Sequence, residues 1–322
     1  MSKVVVTRQN VSLTLGNLVH FPSEQLAGRV DTSNLFSVRL SLIARVYASY
    51  NRNMERAIPA GYLHTGLDRY EVFDFQEDGL GELKSFIKSK KLPFSFHVPF
   101  FRPSYFPYTG VTTFFLNDDP DKRALSFKLI DNTMHYAKEW EADFIVTHLT
   151  WKDDSPDRKK VTDLASDTKS KFCELADRYK LPINIEFGGY SGHFHEPEQF
   201  VNFVKDHPLL GICIDIGHTS LISGVRNRNF FENIEIMAPH TKSIHVWNTK
   251  GMEHNKEYNH VPVHPSQKAE DGWVDIKKTL EIILGHNKDC NIVFEYNHTY
   301  YDNIPDEVQE GMEWVKEIVN RK

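Results

Sequence analysis

The chain has 322 residues, enough for one large α/β domain or two average ones, and its 40% hydrophobic and 25% charged content is that of a globular protein. Its formal net charge of −6 gives no general attraction to nucleic acid or to an anionic membrane surface. The three cysteines, Cys173, Cys213 and Cys290, form neither a disulfide framework nor a C-x-x-C pair, and they read as small buried hydrophobes of a reducing compartment. The opening MSKVVVTRQN lacks an apolar stretch of signal-peptide length, and no later run approaches the roughly 18 residues of a membrane span, so a cytoplasmic location is expected.

In chain order, NVSLTLGNL (10–18) offers a first strand. Residues 19–69 are the least patterned. FSVRLSLIARVYASY (36–50) alternates in part with period two, yet its length and its continuation into NRNMERA suit a helix, so a first helix with loops, or a small insertion, is expected there. From YEVFDF (70–75) onward, short β-branched or aromatic runs alternate with amphipathic stretches. GLGELKSFIKSKK leads to FSFHVPF (94–100), residues 121–140 to DFIVTHL (143–149), and residues 158–180 to LPINIEF (181–187). Residues 196–206 precede LLGICIDIGH (209–218), RNFFENIEIMAPH precedes KSIHVWN (242–248), and DIKKTLEIILGH precedes NIVFEYN (291–297). A helix over 306–320 closes the series.

Strands that are continuously apolar, each followed by a helix, are the pattern of a parallel sheet covered by helices. With the strand at 10–18 the count reaches eight, which predicts a (β/α)8 TIM barrel: a single α/β domain over 1–322 with an irregular N-terminal segment. An open doubly wound sheet is the alternative, but no G-x-G-x-x-G or G-x-x-x-x-G-K-[ST] follows a strand to recommend it. Residues 249–274, rich in Gly, Pro, Asn and Asp, read as a long active-site loop.

In a barrel the C-terminal strand ends share one mouth. Read in order, those ends carry His97, His148, Glu186, Asp215, His245 and Glu295. A lone strand-end acid is usually a cap or a surface residue, and a lone histidine is usually satisfied by its neighbours. Six together are costly to bury unless they are paired or metal-bound, and they point to a divalent cation. Oxygen and nitrogen donors without cysteine suit Mn²⁺, Co²⁺, Zn²⁺ or Mg²⁺. In GICIDIGHTS, His218 stands one helical turn after Asp215 and reaches back beside it. On the long loop His264 is a further candidate ligand, with His260 of the same H-x-x-x-H as its rival. Around the mouth, Trp151 and Trp247 offer aromatic surface and Arg102 and Lys250 offer charge for a substrate oxygen. Packing of these side chains on their own loops is the competing reading.

FHVPF, VTHL, NIEF, IDIGHT, IHVWNTKG, DGWVDI and FEYN, in that order over roughly residues 70–321, make the chain resemble the xylose isomerase-like TIM-barrel superfamily. That superfamily includes sugar isomerases and epimerases, inosose dehydratases and the endonuclease IV branch. For the sugar-acting branch the resemblance implies a metal held by Glu186, Asp215, His245 and Glu295. Glu186 and Glu295 would then be base and acid on opposite sides of a carbonyl substrate. For the endonuclease IV branch it implies a multinuclear zinc site with His97, His148, His218 and His264 as additional ligands. The chain departs from that branch at Pro262, where an Asp is expected two residues before the loop histidine.

The sequence therefore predicts an isomerase or epimerase that acts on a small sugar-like polyhydroxy carbonyl compound with one or two divalent metal ions per chain. The alternative is a multinuclear-metal phosphodiesterase resembling endonuclease IV, and a catalytically silent carbohydrate-binding barrel is a third reading. The charge balance disfavours a nucleic-acid partner, no membrane partner is expected, and a homo-oligomer is compatible with the sequence.

Overall fold

Runs such as INIEF and LGICID are buried at every position, because a strand with helices on one side and a barrel interior on the other has no solvent face. The structure, a computed structural model, describes residues 36–39, 69–73, 75–91, 93–108, 111–150, 154–188, 191–295 and 304–320. Its strands are β1 (Phe36–Arg39), β2 (Arg69–Val72), β3 (Phe75–Gln76), β4 (Phe94–His97), β5 (Phe101–Arg102), β6 (Ile145–Thr147), β7 (Ile183–Phe187), β8 (Leu210–Asp215), β9 (Thr241–Val246) and β10 (Asn291–Phe294). Eight of them close a barrel in the order β1-β10-β9-β8-β7-β6-β4-β2, and all the pairings are parallel. The short pair β3 and β5 stands beyond the C-terminal ends of β2 and β4.

The α-helices among the described residues are α1 (Leu80–Lys90), α2 (Pro120–Trp140), α3 (Arg158–Tyr179), α4 (Pro197–Val204), α5 (Ile216–Arg226), α6 (Phe230–Met237), α7 (Met252–Tyr258), α8 (Ile276–His286) and α9 (Ile304–Asn320). Their starts are written locally. Asp119, Asp157 and Asn229 each accept two backbone N–H groups of the turn that follows, starting α2, α3 and α6. Among the described residues no helix is long and apolar enough to cross a membrane.

One expectation is corrected. The barrel closes through Phe36–Arg39, in a stretch read as helix and loop, and the strand expected at 10–18 lies outside the described residues. The physical reason is closure: β10 and β2 each need a parallel neighbour on one edge, and FSVR, which alternates in period two, supplies it to both. Most of residues 19–69 lies outside the described residues.

The barrel interior is stratified. At the N-terminal end Arg69 donates to Asn291 (2.6 Å) and Asp143 (2.8 Å), with its guanidinium over the Phe144 ring. Midway, Phe144, Val146 and Cys213 form a small apolar cluster, and Asn184 donates to Ser243. These layers seal the barrel from below and leave the polar chemistry to the C-terminal mouth.

All three cysteines are free thiols. Burial pushes the thiol of Cys213 up to about 11 and that of Cys290 up to about 12, while Cys173 is half-buried. In the native protein at pH 8, a disulfide reagent is therefore expected to leave Cys213 and Cys290 unmodified and to reach Cys173 slowly. In denaturant all three should react, a difference that absorbance titration reads directly.

Candidate metal centre

The six strand-end residues meet. Glu186, near the end of β7, is their centre: its Oε2 lies 2.9 Å from His97 Nε2, 3.4 Å from His148 Nε2 and 3.3 Å from His245 Nδ1. From β10, Glu295 Oε2 also lies 3.3 Å from His245 Nδ1. The register explains the meeting, since Asp215 pairs with His245 across β8 and β9, and His245 with Val293 on β10. All six are buried.

Asp215 shows why a carboxylate and an imidazole stand three residues apart. It is both the last residue of β8 and the N-cap of α5, where its Oδ1 accepts the backbone N–H of His218 at 2.6 Å. That cap folds the first turn back, so His218 Nδ1 lies 3.2 Å from Asp215 Oδ2 and 3.7 Å from Glu186 Oε1. The Trp247 indole N–H donates to Asp215 Oδ2 at 2.9 Å. Gly217 makes room for that indole, because a Cβ there would lie 2.2 Å from a Trp247 ring atom.

Electrostatically the mouth is a set of carboxylates answered by histidines. Burial alone would raise the pKa of Glu186, but the attraction of His148 and His245 and hydrogen bonds from His218 and His245 outweigh it, holding the carboxyl well below the usual range. Burial alone would lower His218, but Asp215 and Glu186 together push it up to about 10.

The residues fit a bound cation on valence grounds. His97 Nδ1 lies 3.0 Å from the Val98 carbonyl, which only accepts, so a neutral ring turns a lone pair at Nε2 toward Glu186. His245 has carboxylates at both nitrogens: Glu71 at Nε2, and Glu186 and Glu295 at Nδ1. One ring proton satisfies one side, so the other needs a second proton or a cation. Donor atoms of Glu186, Asp215, His245 and Glu295 all lie within 4.8 Å of one another, close to the spread of ligands about one ion with bonds of about 2.0–2.3 Å. His97, His148 and Glu186 form a second such group, which shares Glu186. A third includes Cys213, whose thiol burial pushes up to about 11.

The other expected residues that the structure describes make contacts of their own. His264 makes its contacts with Ser266 and with Glu310 of α9, where Gly311 lets the helix approach the Val263 carbonyl so closely that a Cβ would overlap it. Its rival His260 reaches the mouth. An antiparallel bridge between Asn248 and Val261 folds the loop so that His260 stacks on Trp247 at 4.0 Å, with Nδ1 3.3 Å from Glu295. Trp247, expected as a wall for substrate, is fully buried beneath the mouth. Arg102 reaches the Tyr108 carbonyl, Lys250 lies over the Trp273 ring, and Trp151 is outside the described residues. Asn248, just before the 249–274 stretch, donates to Gln267 and accepts the backbone N–H of Val274, tying that stretch together.

Sequence reasoning missed Glu71 as well as undervaluing His260. The structure shows why Glu71 matters: in RYEV every residue is buried, so an acid in that strand needs a partner.

Fold and mouth together define a (β/α)8 barrel whose C-terminal end gathers carboxylates and imidazoles from six neighbouring strands. A family model described as xylose isomerase-like TIM barrel matches residues 60–318, and the chain belongs to that family. No curated protein matches it by sequence. Among solved structures it is similar in fold to a D-tagatose 3-epimerase-like protein, with 18% identity over 89% of this chain and 97% of that one and a TM-score of 0.62. IolI protein with a binding zinc atom gives 14% identity, 89% and 98% coverage and a TM-score of 0.62. The D-allulose 3-epimerase from Methylomonas sp., in complex with D-allulose, gives 10%, 88% and 96%, and 0.61.

Gly217→Ala is expected to cost about 1–3 kcal/mol by overpacking against Trp247. Gly224→Ala, in the same helix with open space around it, should be neutral or slightly stabilising. Denaturant unfolding of the two variants measures the contrast.

Proposed function

We propose that the protein is a divalent-metal-dependent isomerase or epimerase that moves a proton next to the carbonyl of a small sugar-like compound. The observation that carries this reading is the convergence of Glu186 and Glu295 on one nitrogen of His245, within a buried group that also holds Asp215. Glu186, Asp215, His245 and Glu295 would hold the cation. When bound, it would polarise the substrate's oxygens and acidify the C–H beside the carbonyl.

The chain's own groups do the rest. Glu186, held ionised by its histidines, is in the protonation state needed to accept the proton from carbon. Glu295, steadied by His245 and His260, would serve the opposite face of the substrate and, starting protonated, deliver its own proton there in an epimerisation while Glu186 keeps the one it removed. His218, drawn toward its protonated form by Asp215 and Glu186, would donate to a substrate oxygen on which charge develops. Arg102 and Lys250, which lie against the Tyr108 carbonyl and the Trp273 ring, would leave those contacts to meet a substrate oxygen. The similarity in fold to sugar epimerases supports a ketose-like substrate, and the free thiols suit reaction in the cytoplasm.

A second reading, a phosphodiesterase with two metal ions, is favoured by the group of His97, His148 and Glu186. His264 lies against α9 and weakens the case for a third ion. Zinc-dependent, chelator-sensitive nicking of abasic duplex DNA would support this reading, and no nicking by metal-loaded protein would count against it.

The isomerase reading is tested by incubating the metal-loaded protein with ketoses in D₂O. Wild type should introduce deuterium beside the carbonyl of at least one of them. Glu186→Gln should reduce exchange by at least about 100-fold with the circular dichroism spectrum unchanged. Exchange at the wild-type rate in that variant would remove Glu186 as the base.

A further inference from the structure

Glu71 lies outside the ligand group and is unused by the chemistry above. It sits in β2 among Tyr70, Val72 and Phe73, where an acid contributes nothing to packing, and it is 0% exposed. Its Oε1 and Oε2 lie 3.3 and 3.4 Å from Nε2 of His245, which is itself 0% exposed. The contact joins elements that are not neighbours in the barrel, since β10 and β1 stand between β9 and β2. Sequence separation of 174 residues makes it a tertiary feature with no role in forming either strand.

We propose that Glu71 is a positioning residue for the metal centre: its carboxylate accepts the Nε2–H of His245 and so holds Nδ1 as the donor atom facing Glu186 and Glu295. A neutral imidazole has two tautomers, and only the one protonated at Nε2 offers a lone pair at Nδ1. A carboxylate at Nε2 selects that tautomer, fixes the ring plane and makes Nδ1 more basic. The inference rests on the cation site proposed above and adds to it the group that orients one ligand.

The test compares wild type, Glu71→Gln and Glu71→Leu. Zinc affinity is measured by chelator competition, and the protonated nitrogen of His245 by ¹⁵N spectra of histidine-labelled, zinc-loaded protein assigned with His245→Asn. Wild type should bind zinc through Nδ1 with the proton on Nε2. Glu71→Gln, whose side-chain oxygen still accepts, should keep that signature and most of the affinity. Glu71→Leu should weaken binding about 10–100-fold and lose the fixed Nε2–H signature. Wild-type affinity and signature in folded Glu71→Leu would overturn the proposal, as would a wild-type His245 protonated at Nδ1. If Glu71→Leu does not fold, the wild-type spectrum and Glu71→Gln decide. Absence of zinc uptake by wild type would instead overturn the cation site, and this inference with it.

Discussion

A neutral imidazole has one N–H, and His245 has carboxylates at both of its nitrogens. That mismatch, repeated where His97 faces Glu186, is the constraint around which the mouth is organised. Buried carboxylates are tolerated only with compensating positive charge, and breaking a buried pair typically costs about 3–5 kcal/mol. A divalent cation supplies in one atom what several added protons would supply separately. The same charge, placed against a substrate's oxygens, would become a chemical resource.

The scaffold delivers these groups with little freedom. Parallel register places Asp215 beside His245, and β7 brings Glu186 to the middle of the ring of histidines. Asp215 then links strand, helix and site in one side chain: it caps α5, aligns His218, and takes the Trp247 N–H while keeping its place beside Glu186, His245 and Glu295. Gly217 is the steric condition for that arrangement. Below, the Arg69 cluster and the apolar layer of Phe144, Val146 and Cys213 keep the interior packed, so polar groups concentrate at the top.

Much of this was legible in the sequence because barrel strands are apolar on both faces. A Glu, Asp or His where such a run stops is conspicuous, as in NIEF, IDIGH and SIHV, and the geometry brings those residues together. What escaped depends on three-dimensional closure. Glu71 stands inside a strand rather than at its end, and its partner is 174 residues away. The choice of His260 over His264 depends on the Asn248–Val261 bridge and on the room left by Gly311, neither of which has a local signature. Phe36–Arg39 was ambiguous because four residues of alternation sit inside a longer stretch of helical character, and only the open edges of β2 and β10 decide it. Trp247 looked like a wall because an aromatic after a strand end commonly is one, whereas here its N–H is committed to Asp215.

The most direct test of the central claim is anomalous diffraction from crystals of the protein soaked with Mn²⁺ or Zn²⁺. A peak is expected, enclosed by Glu186, Asp215, Glu295 and Nδ1 of His245, at bond lengths of about 2.0–2.3 Å. A second peak beside His97 and His148 would add the second ion. An ordered mouth without a peak among those four residues, in crystals that take up the metal elsewhere, would contradict it.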